Sequence, residues 1–599
     1  MTLTQRQAIP AEEMWDLNDL FLSDEDWEQA RQHVEKEAEK LSLFTEKIGE
    51  RAENLANALQ AREALMEKLV PVITYATLSL SSDGTSSSAQ GNASLAQSTQ
   101  ALVQAELAKL EAEIIKLPEA VIEQFQQESE QLQSFHVFLE KLIESKPFSL
   151  SSETEEVLAS LTPILTNPYS TYLTSKAADM TFPDFIGANG EQKPLSFARF
   201  EDQYELSAHT EERRNAFIAF DDTLQQYEHT YAKLYAGEVM KQVTLARLRG
   251  YDSVEHMLLH SQQVTPTMYH NQIDIIYKEL APHMQRYAKL KKDVLGLESF
   301  GFSDLKAPLD PEFEPPTTYD QAYETIIEAL KPLGEAYNHM LMRAKNERWV
   351  DRADNIGKAT GAFCSSPYGY HPYILLTWKD TMRGAFILAH ELGHAGHFYN
   401  ANDAQPLHAT RPSTYCIEAP STMNELFLGN HLLASTDDPR MKRWVILQFI
   451  GTYYHNFVTH LLEGEFQRRV YALAESGTPL TAITLRETKQ AVLSGFWGDA
   501  VEITERAGRT WMRQPHYYMG LYPYTYSAGL TAATKAYTLY QEQGQPVIDQ
   551  WLKMLRAGGT LQPLDLFKVA GVDMEKKETI QDAVAYVGSL ISDLENSYK

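Results

Sequence analysis

His390-Glu391-Leu392-Gly393-His394 sets two imidazoles and a carboxylate within little more than one helical turn. Residues i and i+4 lie roughly 40° apart around a helix and about 6 Å apart along it, so both imidazoles can reach one metal ion. Glu391 then points at the metal's open face. There it can take a proton from a water whose pKa the metal lowers from about 15.7 toward ~7. The chemistry is metal-assisted hydrolysis with zinc as the ion, one per chain, and a peptide bond is the usual target of this pattern.

With 18 histidines in 599 residues, chance alone produces a His-Glu-x-x-His in about a few per cent of such chains. Context therefore decides. The pentad lies in a proline-free run opened by Asp380 as N-cap, with a helical pattern continuing to Phe398. A core helix with two buried histidines would not need Glu391, a residue type almost never buried without a partner.

A catalytic zinc takes a third protein ligand and keeps one position open. The metzincin extension is excluded, because the next histidine, His397, follows His394 by only three residues. Two carboxylates, Glu418 and Glu425, follow on a second helical segment. Seven residues apart, they share one face, so one can ligate while the other supports a ligand. Spacing leaves the two nearly even.

His390 to His394, followed by Ile417-Glu418-Ala419-Pro420-Ser421 and Asn424-Glu425, resembles the thimet oligopeptidase family of zinc peptidases, and within it the bacterial oligoendopeptidase F branch. Trp15-Asp16-Leu17, Gly361-Ala362-Phe363-Cys364 and the tyrosine-rich segment after His516 carry the same resemblance over most of the chain. The resemblance implies His390, His394 and Glu418 as metal ligands, Glu425 as their support and Glu391 as general base. It implies a mostly α fold: a large helical two-lobed metallopeptidase with a deep central channel and a small sheet beside the zinc helix. The channel would admit oligopeptides and exclude folded proteins.

Peptide hydrolysis passes through a tetrahedral oxyanion, and phenol or imidazole donors aimed at it are worth a few kcal/mol of barrier. By the same resemblance, His516 and Tyr526 supply those donors from a closing loop, with Tyr522 a weaker candidate. The competing reading of each tyrosine is an aromatic packing cluster. Upstream, Pro372 to Trp378 reads as a strand. At a sheet edge it would pair with an extended peptide through main-chain hydrogen bonds. The runner-up function, a related helical zinc carboxypeptidase, needs a cation for the substrate's terminal carboxylate, and Arg383 and Arg513 are the nearest candidates in sequence. A non-catalytic scaffold would show a damaged pentad, and this one is intact.

At 599 residues, the length prior is roughly four domains' worth of chain, and 43% hydrophobic content says globular. A net charge of −28 argues against nucleic acid or an anionic membrane as partner. Met1 to Gln7 lead into an acidic stretch without an apolar core, and no later run approaches the ~18 apolar residues of a membrane span. With only Cys364 and Cys416, the expected setting is a reducing cytoplasm. Cys416 reads as a buried small side chain and not a fourth ligand. No further His/Asp/Glu cluster shows ligand spacing.

Helical signals dominate. Val103, Leu107, Leu110, Ile114 and Leu117 mark a core-facing stripe ended by Pro118. Ser152 with Glu155 reads as a capping box. Asp184 to Pro194 has hairpin chemistry, Pro308 to Pro316 is an extended break before a helix near Tyr319, and Ser82 to Ser88 reads as a mobile loop. The expected division is a helical N-terminal region, 1–194, and a catalytic region, 195–599.

Overall fold

The computed structural model describes residues 4–45 and 47–599; the first three residues of the leading stretch lie outside it. Among the described residues, 73% are helical and two small sheets are present. It forms two compact units, each built from three segments: Met1–Ser149, Pro315–His431 and Ala536–Val572 make one, and Leu150–Glu314, Leu432–Lys535 and Asp573–Lys599 the other. No helix among the described residues is long and apolar enough to cross a membrane.

The second unit carries a hairpin in which β1 (Phe185–Ile186) pairs antiparallel with β2 (Gln192–Lys193), where turn chemistry predicted it. Its longest helix, Thr210–Arg249, ends at Gly250, whose φ of +79° suits a residue without a Cβ. Buried Asp221 on that helix accepts two hydrogen bonds from Arg509, and Arg213 donates to the fully buried Asp304. Thus the charges on its core-facing side are paired.

In the first unit, the stripe Val103, Leu107, Leu110 and Ile114 is buried on the helix Ser87–Lys116. The Ser82–Ser88 expectation shrinks. One helix runs to Ser82 and the next is capped by Ser86, while Gly84 N–H donates to Gly357 O at 2.7 Å, so the connection is four residues and tied down. The helix Ser152–Leu165 in the second unit is capped one residue earlier than expected, at Ser151, without a reciprocal capping box. Ser151 caps Thr154 N–H, and Glu155 accepts from Leu150 N–H. After the proline-rich break, a helix starts at Tyr319 with a reciprocal Thr318–Gln321 box.

The sheet beside the pentad has the order β3 (Val350–Asp351), β5 (Tyr373–Leu375), β4 (Phe363–Ser365), with β3 parallel and β4 antiparallel to the central strand. Tyr373, Ile374 and Leu375 are fully buried, as a central strand requires. Trp15 packs edge-on against Tyr373 at 6.2 Å and against Phe363 at 6.3 Å, so the Trp15-Asp16-Leu17 stretch anchors the chain's start to this sheet.

Candidate active site

The pentad lies in the helix Met382–Ala404, which extends six residues beyond Phe398. Its N-cap is Thr381, whose hydroxyl accepts from Gly384 N–H. Asp380 instead takes φ +48° and accepts a 2.7 Å hydrogen bond from Trp378 Nε1. The second carboxylate-bearing helix, Glu418–Ser435, crosses the first at Gly393. A Cβ at Gly393 would lie 2.4 Å from Ser421 Cα and 2.6 Å from Pro420 O. Only glycine permits that approach, which carries Glu418 to the histidines. Asn424 Nδ2 donates to Ala389 O at 3.1 Å and to Tyr337 Oη at 3.2 Å, tying the two helices together.

As a result, Glu418 Oε2 lies 3.4 Å from His390 Nε2 and 3.6 Å from His394 Nε2. One ligand atom from each of the three residues falls within 4.8 Å of the others. Glu425 takes a different place: its Oε1 is 2.7 Å from His390 Nδ1, on the far side of the ring from Glu418. Glu391 is 6% exposed, and its Oε2 is buried without a hydrogen-bond partner. Such an orphan costs free energy unless it faces chemistry. Two imidazole nitrogens and one carboxylate oxygen, with a neighbouring carboxylate left open, form a donor set that suits zinc.

Electrostatics separate the two acids. Burial pushes the Glu391 carboxyl up to about 7, and the negative charges of Glu418 and Glu425 add to it against His390. Glu418 is buried too, yet its hydrogen bond to His390 and the charges of both histidines hold it at about 2. One acid is thus poised to exchange a proton near neutrality while the other stays ionised. His397 is buried on the same helix, stacked on Phe398, and burial drops it to about 3. Cys416 is buried with Sγ facing Pro563 O at 3.7 Å, consistent with packing, and burial raises its thiol well above the usual range.

The strand expected within Pro372 to Trp378 is present as Tyr373–Leu375, but its expected place at the sheet edge is corrected. Tyr373–Leu375 has β3 and β4 on its two sides, so it has no edge to offer. The partly exposed β4, in the Gly361-Ala362-Phe363-Cys364 stretch, is an edge strand of the sheet, packed against the pentad helix.

In the second unit, the tyrosine-rich segment divides into packing and clustering residues. Tyr517 packs on Tyr235 and Phe466, Tyr518 stacks on Tyr169 and Tyr172, and Tyr524 donates to Gln262 Oε1 at 2.6 Å. His516, Tyr522 and Tyr526 instead gather together, with ring centroids 5.3–5.8 Å apart. Burial lowers His516 to about 4, so its imidazole is neutral at pH 7, able to donate from one nitrogen. Arg513 is engaged by Glu201 and Glu205, which leaves it ill-suited to capture a free carboxylate.

Beside this cluster stand three residues that the sequence reading did not single out, His455, His460 and Glu463. His460, Glu463 and His516 bring ligand atoms within 4.8 Å of one another. That is a second His/Glu group, hidden because His516 is 53 residues beyond Glu463. The available signal was His460-x-x-Glu463, one face of a helix. Lys489 lies near Glu463 and supplies positive charge there, so a resident cation is not needed to balance the carboxylate.

A mostly helical chain with a His-Glu-x-x-His helix and a third carboxylate ligand candidate on a crossing helix defines a class, the helical metallopeptidases. Comparison narrows it. The profile of peptidase family M3 matches residues 204–586, and that of oligopeptidase F matches residues 113–182. Oligopeptidase PepF of Bacillus subtilis is 31% identical over 593 residues, covering 99% of this chain and 88% of its own. A crystallised Chlamydophila abortus protein, 26% identical, superposes with a TM-score of 0.89 over 100% of both chains. Oligoendopeptidase F from Enterococcus faecium shares the fold, with a TM-score of 0.75 and 24% identity over 96% of this chain and 99% of its own. This chain belongs to peptidase family M3, among the oligoendopeptidase F metallopeptidases.

Proposed function

We propose that the protein is a zinc endopeptidase that cleaves internal bonds of short oligopeptides, with residues 195–599 as its catalytic portion. The observation that carries this reading is the convergence of His390, His394 and Glu418 within 4.8 Å beside the orphaned carboxylate oxygen of Glu391. The names of its relatives, oligopeptidase and oligoendopeptidase, support that substrate class.

His390, His394 and Glu418 would hold the ion, and Glu425 would fix His390 through Nδ1, setting which ring nitrogen is free to ligate. Zinc, when bound, supplies Lewis acidity that polarises the scissile carbonyl and acidifies water. Glu391 takes the proton from the attacking water and returns it to the leaving amine, a task suited to a carboxyl raised to about 7. His516 and Tyr526 donate hydrogen bonds to the oxygen that becomes negative, with Tyr522 alongside. The edge of β4 offers backbone groups that an extended peptide can pair with, giving affinity with little sequence selectivity. Free Cys364 and Cys416 and an acidic chain fit work in the cytoplasm on peptides and not on nucleic acid.

The testing experiment is mass spectrometry of the products of a mixed peptide library, including peptides blocked at both ends, with and without a chelator. Chelator-sensitive internal cleavage of blocked peptides is expected. Release of single C-terminal residues from unblocked peptides only would contradict the reading.

A further inference from the structure

We propose that His460, locked by Glu463 and His455, is a positioning residue that sets the ring of Tyr526 for the reaction. It rests on the reading of Tyr526 as an oxyanion donor. His460 and Glu463 lie three residues apart on the helix His460–Glu475, and both are buried at 3% exposure. His460 Nδ1 is 2.9 Å from Glu463 Oε2, and Nε2 is 3.1 Å from His455 Nε2. Residues five apart on an α-helix point about 140° away from each other. His455 reaches His460 only because Tyr454–Thr459 is a widened π turn, a feature found often at functional sites.

These contacts leave the imidazole little freedom. One ring nitrogen is held by the Glu463 carboxylate and the other by His455 Nε2, so the plane of the ring is set. Burial raises Glu463, but His460 and buried Lys489 more than offset it and keep the carboxylate ionised. Tyr526 then lies flat on His460, with ring centroids 4.2 Å apart and planes 15° from parallel, while His516 meets the same imidazole edge-on at 5.1 Å. A tyrosine has two side-chain torsions, and stacking on an immobile ring restricts both. The cost of aiming the phenol is then met in the free enzyme and not during each turnover.

The test is a double-mutant cycle in the zinc-loaded enzyme, with Y526F, H460A and the pair together, and with zinc content and melting temperature recorded for each. If His460 acts through Tyr526, each single variant loses about 10–100-fold in kcat with KM within about threefold, and the double variant is no more than about threefold worse than the worse single. E463Q keeps an acceptor for Nδ1–H and should stay within about threefold of wild type, whereas E463A should fall with H460A; this pair remains informative if H460A does not fold. Full kcat in Y526F overturns the donor reading and this proposal with it. An impaired Y526F beside an unimpaired H460A, multiplicative losses in the double variant, or E463Q falling as far as E463A overturns the positioning role alone.

Discussion

His390 Nδ1 lies 2.7 Å from Glu425 Oε1, while its Nε2 lies 3.4 Å from Glu418 Oε2, so the two carboxylates that sequence spacing could not separate sit on opposite edges of one imidazole. In the proposed site they would have unequal tasks. Losing a direct ligand abolishes stoichiometric metal, whereas losing the partner of a ligand weakens affinity or activity by about 10–100-fold. Glu418→Ala is therefore expected to purify without zinc, and Glu425→Ala to retain it at reduced affinity. Zinc kept in the first and lost in the second, by elemental analysis, would exchange the roles.

The crossing at Gly393 gives a second prediction. An added Cβ at 2.4 Å from Ser421 Cα cannot be relieved by a rotamer change, because the neighbour is backbone. Gly393→Ala should cost about 1–3 kcal/mol, as overpacking does, and should push Glu418 away from the histidines. Melting temperature and zinc content should drop together. A variant with normal zinc and normal stability would show that the helices do not approach so closely.

How far the sequence carried follows from these cases. Elements with strong periodic or turn chemistry were readable, as the buried stripe from Val103 to Ile114 and the hairpin at 185–193 show. Local caps slipped by one residue, because Asp380 and Thr381 are both good cap residues and only the backbone at Asp380, with positive φ, excludes it. Sheet order was illegible. The run from Tyr373 to Leu375 has the apolar character of a strand, but nothing local says that Phe363–Ser365 flanks it. The pentad was legible because short-range spacing encodes it, whereas spacing could not separate the places of Glu418 and Glu425. The His455, His460 and Glu463 group was not, since its meaning depends on a widened helical turn and on residues more than fifty positions away.

A pH prediction concerns Asp304, fully buried between Arg213 and Arg214. Burial raises its carboxyl, but hydrogen bonds from Arg214, Gly301 N–H and Arg213 outweigh that and hold it below the usual carboxylate range. A depressed acid stabilises the fold above its unfolded pKa of about 3.9, and that contribution is lost as pH falls through the lower folded value. Asp304→Asn should cost about 3–5 kcal/mol at pH 7, because it leaves buried arginine charge unpaired. The gap to wild type should narrow below pH ~4 in denaturant titrations. A gap unchanged from pH 7 to pH 2 would mean that charge is not its source.

Substrate length tests the proposed restriction to short oligopeptides. On a ladder of peptides at equal molarity, turnover should fall beyond a couple of dozen residues, and denatured casein should remain intact. If His516 and Tyr526 act as proposed only on a substrate short enough to be held whole, the limit should appear in kcat as well as KM. Steady cleavage of casein, with no decline along the ladder, would rule that restriction out.

The central claim is that Glu391 moves the proton while His390, His394 and Glu418 hold the metal, and Glu391→Gln tests it most directly. The amide is isosteric with the acid and is not a ligand, so the variant should bind one zinc per chain and melt close to wild type. Its kcat should fall by about 10²–10⁴-fold or more, as loss of a general base predicts. Stoichiometric zinc with kcat within about threefold of wild type would contradict the account.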